Sequence, residues 1–360
     1  MPNSSCLPPP QLMRRSFFVR LFLLTVLVVG CSIKPPQAPL NKPTVYRNYL
    51  AIVNGDSSNF TFCSPDTGEC FSGPSIGQKF PPMVRYHDDR LFVIDSSDNS
   101  LKVFNARSPY DAPRVLRFSP GSNPYDLAFG PDGRVYVSCL LSNTIHRTDP
   151  SVTLLTDELA VPASQGSNPE GLCISNGKLY VALSSFGSGN TVGVIDLSSF
   201  AFSPASPLIV AENPQAILEA EGRLHVVCTS GYDSSWANKK QGKVSLIDPM
   251  TDTVDPSFID FSGADPAFAV LADNGHVFIG GSESGLMAYD AATRQVLRGP
   301  GNPILRPSSG CLMGLAASGG RVWSCWFKTD GEALEFDADT FERRSSYPVG
   351  ALPDAIVFVP

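Results

Sequence analysis

Five polar side chains recur at one kind of place: Tyr125, Asp126, Glu170, Gln215 and Asp354 each lie one or two residues after a proline (Pro124, Pro169, Pro214, Pro353). Three carboxylates, an amide and a phenol among apolar neighbours have the make-up of a small-ligand pocket. Paired carboxylates also do acid–base work or hold Ca²⁺, so the five form a candidate ligand or ion site. No Cys–His couple supplies an activated nucleophile, and no catalytic residue is assigned. The four histidines do not gather: His87 falls in a loop, His146 in a strand, His225 replaces a strand aromatic, and His276 takes a turn position.

A second candidate is the stretch Ser230–Gly242 (SGYDSSWANKKQG), where Tyr232 and Trp236 stand beside Lys239 and Lys240. Aromatic rings next to charge are the composition of recognition hot spots, which marks these four residues for partner binding. Trp323 and Trp326 alternate within an apolar run and read as core. Cys63 and Cys70 flank the turn-rich Ser-Pro-Asp-Thr-Gly-Glu and are expected to form a disulfide in an oxidising compartment. Cys139, Cys173, Cys228, Cys311 and Cys325 sit in apolar runs, as buried small hydrophobes do.

The elements that must position these residues follow from a repeat. A turn, a basic residue or histidine and an alternating apolar run recur as Asp89-Arg90-Leu91-Phe92-Val93, Gly133-Arg134-Val135-Tyr136-Val137 and Gly177-Lys178-Leu179-Tyr180-Val181. They return as Gly222-Arg223-Leu224-His225-Val226, Gly275-His276-Val277-Phe278-Ile279 and Gly320-Arg321-Val322-Trp323-Ser324. The interval is 44 or 45 residues except for one of 53, which contains the Tyr232–Lys240 stretch. Asn-Pro or Asp-Pro precedes most units, and a short strand ending in Asn or Asp follows. Four short strands in about 45 residues make a propeller blade.

The chain ends in a first strand, Asp354–Val359, with nothing after it, while residues from Tyr49 to Phe71 supply the other three strands without a first. Joining them predicts an all-β, seven-bladed β-propeller over 46–360, its last blade closed by N- and C-terminal strands. First strands line the channel, so the residues after each proline converge on one mouth, and the long loop shares that face. The units KLYVALSSFGSGNTVGVIDL and GKVSLIDPMTDTV resemble the YVTN-type β-propeller repeats of bacterial and archaeal surface proteins over about residues 82–359. That resemblance implies a propeller with a binding or scaffolding role.

The first thirty residues stand apart. Arg14, Arg15 and Arg20 precede the apolar Leu21–Val29, the pattern of a signal peptide and too short to span a bilayer. Val28-Val29-Gly30-Cys31 resembles a lipobox, which implies cleavage before Cys31 and a lipid on its thiol. Residues 31–45 are Pro-rich and polar, as a tether is. The expected location is the bacterial cell envelope, lipid-anchored at the outer membrane or cell surface. With 27 Lys+Arg against 34 Asp+Glu, net −7, the chain offers nucleic acid no counterion-release gain. The sequence therefore points to a membrane-anchored extracytoplasmic propeller that binds an envelope protein or a ligand and needs no cofactor. The alternative is a Ca²⁺-dependent, lactonase-like hydrolase built on the mouth carboxylates.

Overall fold

A computed structural model describes residues 47–77 and 82–360. The leader, the Cys31 motif and the tether lie outside the described residues. The described residues form seven antiparallel sheets. Blade 1 begins with Met83–His87, blade 2 with Pro124–Phe129, blade 3 with Pro169–Ser175 and blade 4 with Pro214–Ala220. Blades 5 and 6 begin with Pro266–Leu271 and Cys311–Ser318. In blade 3 the outermost position is shared by two short strands, Ala201–Phe202 and Leu208–Ile209, both paired to Thr191–Asp196. Among the described residues no helix is long and apolar enough to cross a membrane.

The repeated Gly-basic unit is a tight hairpin. Asn176 and Gly177 have φ of 49° and 71°, and they connect Ser175 to its partner Lys178. Glu221 and Gly222 do the same in blade 4 at 51° and 67°. A two-residue hairpin needs positive φ at both turn positions, which glycine adopts without a Cβ clash. The residues after each turn alternate across the sheet and pack against the neighbouring blade.

Seven apolar clusters result, and each lies between two adjacent blades. The cluster between blades 7 and 1 contains Phe60, Phe62, Leu91, Val93 and Phe104, all of them buried. Among the described residues no cluster belongs to a single blade. Each blade buries its faces only against its neighbours, so the ring is stable when closed.

Closure takes the predicted form. The sheet order of blade 7 runs from Pro353–Val359 to Tyr49–Asn54, Asn59–Cys63 and Cys70–Ser75. Tyr49 pairs with Val359 at one end and Asn54 with Pro353 at the other. The Pro353 end coincides with the proline ends of the other first strands. The described chain therefore starts on the face opposite those prolines.

The inner strands carry a feature that alternation does not reveal. In blades 2 to 7 the pairing of the first strand shifts at or just after its starting residues, as between Pro124 and Leu127, Pro169 and Leu172, and Pro214 and Ala216. The residues within these bulges include Tyr125, Asp126, Glu170 and Gln215, and Asp354 holds the same place in blade 7. A bulged residue leaves the ladder and its side chain is re-aimed. A hydroxyl at the end of the preceding blade's second strand secures several bulges: Ser138 Oγ donates to Glu170 O at 2.7 Å, and Thr229 Oγ1 to Pro266 O at 2.6 Å.

Candidate functional site

Glu170 is the focus of the mouth. Its side chain is 0% exposed, and neither carboxyl oxygen has a hydrogen-bond partner. Ser184, Gln215 and Tyr125 stand beside it and favour its charged form, but none is aligned onto an oxygen. Two of these groups have other engagements, since Ser184 Oγ donates to Asn168 O at 3.4 Å and Gln215 Nε2 to Asn213 Oδ1 at 2.8 Å. Burial dominates, and pushes the Glu170 carboxyl up to about 8. Burial and then the Glu170 charge also push the Tyr125 and Tyr232 phenols up, so both phenol oxygens lie within electrostatic reach of that carboxyl.

Asp126 does different work. Its Oδ1 accepts from Arg85 Nη2 at 3.2 Å and from Leu127 N at 2.8 Å, and its Oδ2 from Leu172 N at 3.0 Å. Arg85 belongs to blade 1 and Leu172 to blade 3, so this carboxylate ties three inner strands together. Asp354 lies in blade 7, across the ring from blade 3. It is half-buried, and desolvation pushes its carboxyl up to about 7. Tyr125, Glu170 and Gln215 thus converge, whereas Asp126 is a strut and Asp354 stands apart.

The Ca²⁺ alternative needs several carboxylates in one shell. These three do not supply it, and among the described residues no three His, Cys, Asp or Glu side chains are grouped to hold a metal. The donor set does not fit that ion.

The Ser230–Gly242 loop lies over the same face. Tyr232 packs its ring edge on Gly187 of blade 3, where a Cβ would come within 2.4 Å of the ring, and it bridges to Asn238. Trp236 is 58% exposed, its ring 6.4 Å from that of Tyr232. Lys239 pairs with Glu212 at 3.0 Å and Lys240 with Glu283 at 2.7 Å, so both ammonium groups are held by acids of the surrounding loops.

Elsewhere, Cys63 and Cys70 are joined by a disulfide. Cys139, Cys228 and Cys325 are buried thiols, Cys173 is half-buried, and burial raises all four; Cys311 departs from expectation in being disulfide-bonded. The run Gly73-Pro74-Ser75-Ile76-Gly77 matches the spelling of a nucleophile elbow. It closes the outermost strand of blade 7, and Ser75 Oγ donates to Ser58 O at 3.2 Å. It lacks the strand-to-helix turn that exposes such a serine.

No protein-family model and no curated protein matches the sequence. Solved β-propeller structures resemble the fold. Hydrazine synthase from Kuenenia stuttgartiensis superimposes with a TM-score of 0.63 at 15% identity, over 77% of this chain and 89% of that one. Virginiamycin B lyase from Staphylococcus aureus gives 0.58 at 13%, over 74% and 84%. A protein of Desulfotomaculum acetoxidans described as functionally unknown gives 0.64 at 14%, over 87% and 99%. At these identities the likeness is one of fold. The propeller's mouth also includes residues that composition does not single out. Ser184 and Gly187 belong to a serine- and glycine-rich loop, and Asn213 is a turn asparagine at φ 62° that donates to Ser230 O at 2.9 Å.

Proposed function

We propose that this is a lipid-anchored, extracytoplasmic propeller of YVTN type that works as a binding module, taking a ligand at the mouth beside Glu170. One observation carries the reading: a carboxyl without exposure and without a partner on either oxygen. Such a group costs about 1–3 kcal/mol or more, and buried polar groups are otherwise satisfied almost everywhere. Perturbed, unsatisfied carboxyls in clefts are concentrated at functional sites. The re-aimed bulge residues and the inserted loop give that carboxyl walls on the same face. Anchoring at Cys31 and an envelope location come from the lipobox-like residues and the Pro-rich stretch after them.

The test is native mass spectrometry of the protein purified from its own envelope, beside the Glu170→Gln variant. The wild type is expected to carry a small molecule that the variant has lost. An identical ligand load in both, or a bare wild type that takes up nothing from an envelope extract, would refute the reading.

A further inference from the structure

Resting on that reading and deepening it, we propose that the mouth receives a monovalent organic cation, a primary or quaternary ammonium group paired with Glu170 beside the Tyr125 and Tyr232 rings. Two buried oxygens onto which none of the neighbouring donors is aligned leave a positive charge to be matched, and the cations of the surrounding loops are committed. Lys239 is held by Glu212, Lys240 by Glu283 and Arg85 by Asp126. One carboxylate surrounded by phenol, amide and hydroxyl groups matches a single positive charge. A divalent metal would ask for more acids than converge here.

The rings add selectivity of their own, because aromatic faces attract ammonium groups through their quadrupole, and most strongly where water is excluded. Mass and charge balance are simple. As the ammonium enters near neutral pH, the carboxyl proton leaves to solvent and the resulting carboxylate faces the cation.

Access falls to the inserted loop. Tyr232 rests on Gly187, and the loop is fastened to neighbouring blades by two exposed ion pairs, which are weak ties in water. The surrounding backbone is unusual for side-chain-bearing residues: Ser185, Phe186, Ser230, Trp236 and Lys240 all have positive φ. Strain of this kind collects at ligand clamps.

Calorimetric titration of the purified full-length protein tests this with n-butylammonium and tetramethylammonium as probes, and with butan-1-ol, butyrate and CaCl₂ as matched controls. The ammonium probes are expected to bind, about a hundredfold more tightly at pH 9 than at pH 6, releasing protons that make the heat depend on the buffer at pH 7. The controls are expected to be silent. Glu170→Gln should weaken ammonium binding at least tenfold, and Tyr232→Leu should weaken tetramethylammonium more than butylammonium. Butan-1-ol binding as well as butylammonium, or Ca²⁺ displacing it, would overturn the cation proposal; loss of such binding in Glu170→Gln would leave the mouth a binding site. If no probe binds, yet mass spectrometry finds a ligand that Glu170→Gln loses, the cation class alone falls. With no probe bound and no ligand retained, both fall.

Discussion

Glu170 makes the protein's stability sensitive to pH in a defined direction. Below about pH 4.5, its ordinary value, folded and unfolded chains both hold the proton, and there is no difference between them. Between there and about 8 the unfolded chain ionises while the folded one keeps its proton, so stability falls as pH rises. A shift of this size corresponds to up to about 5 kcal/mol. Urea unfolding at steps from pH 5 to 8.5 should show this decline in the wild type and a much shallower one in Glu170→Gln. Asp354, pushed up to about 7, adds a part that ends lower and that Asp354→Asn should remove. A wild-type slope in Glu170→Gln would assign the titration elsewhere. At this scale the sequence was half legible. Glu170 and Gln215 could be found because they follow the repeat's proline. Nothing in the text separated them from Asp126, whose oxygens are consumed by Arg85 of one blade and Leu172 of another. Such partners are distant in sequence and are brought together only by the bulges.

Among the elements, the inserted loop divides into a seated half and an exposed half, and two substitutions separate them. Trp236→Ala removes a ring that is mostly in water, so its unfolding free energy should match the wild type within about 0.5 kcal/mol. Gly187→Ala places a methyl 2.4 Å from the Tyr232 ring at a backbone φ of 92°. It should cost about 1–3 kcal/mol and unseat the loop, which limited trypsin digestion would register as faster cutting after Lys239 and Lys240. Equal digestion rates in Gly187→Ala and wild type would mean that Tyr232 does not hold the loop down. The loop was visible as the one long interval in the repeat, since a blade's strands tolerate little variation in length while the loops do. Its lysines looked available for a partner because their acids, Glu212 and Glu283, lie outside the stretch that contains them. The hairpins were the most legible elements, since Asn-Gly and Glu-Gly pairs meet a local backbone requirement that no distant contact overrides.

At the scale of the whole molecule, closure is the controlling feature. Deleting Asp354–Pro360 removes the inner strand of blade 7, with the buried Ala355, Ile356 and Val359, and bares the edge of Tyr49–Asn54. The variant is expected to lose its cooperative melting transition altogether; an unchanged transition by calorimetry would contradict the shared blade. Ring closure was readable from the sequence because one strand too many at the end met one too few at the start. For the proposed anchor, Cys31→Ser should abolish labelling with radioactive palmitate and leave unprocessed precursor, and a variant that is processed and still membrane-bound would refute it. The course of Tyr49–Asn54 then bears on geography. Its Tyr49 end meets Val359, and its Asn54 end meets Pro353 beside the mouth. The polypeptide comes into the disc from underneath, and its last residue leaves by the same side. Residue 47 and the last residue thus share one side of the disc, and Glu170 and the Trp236 loop lie on the other.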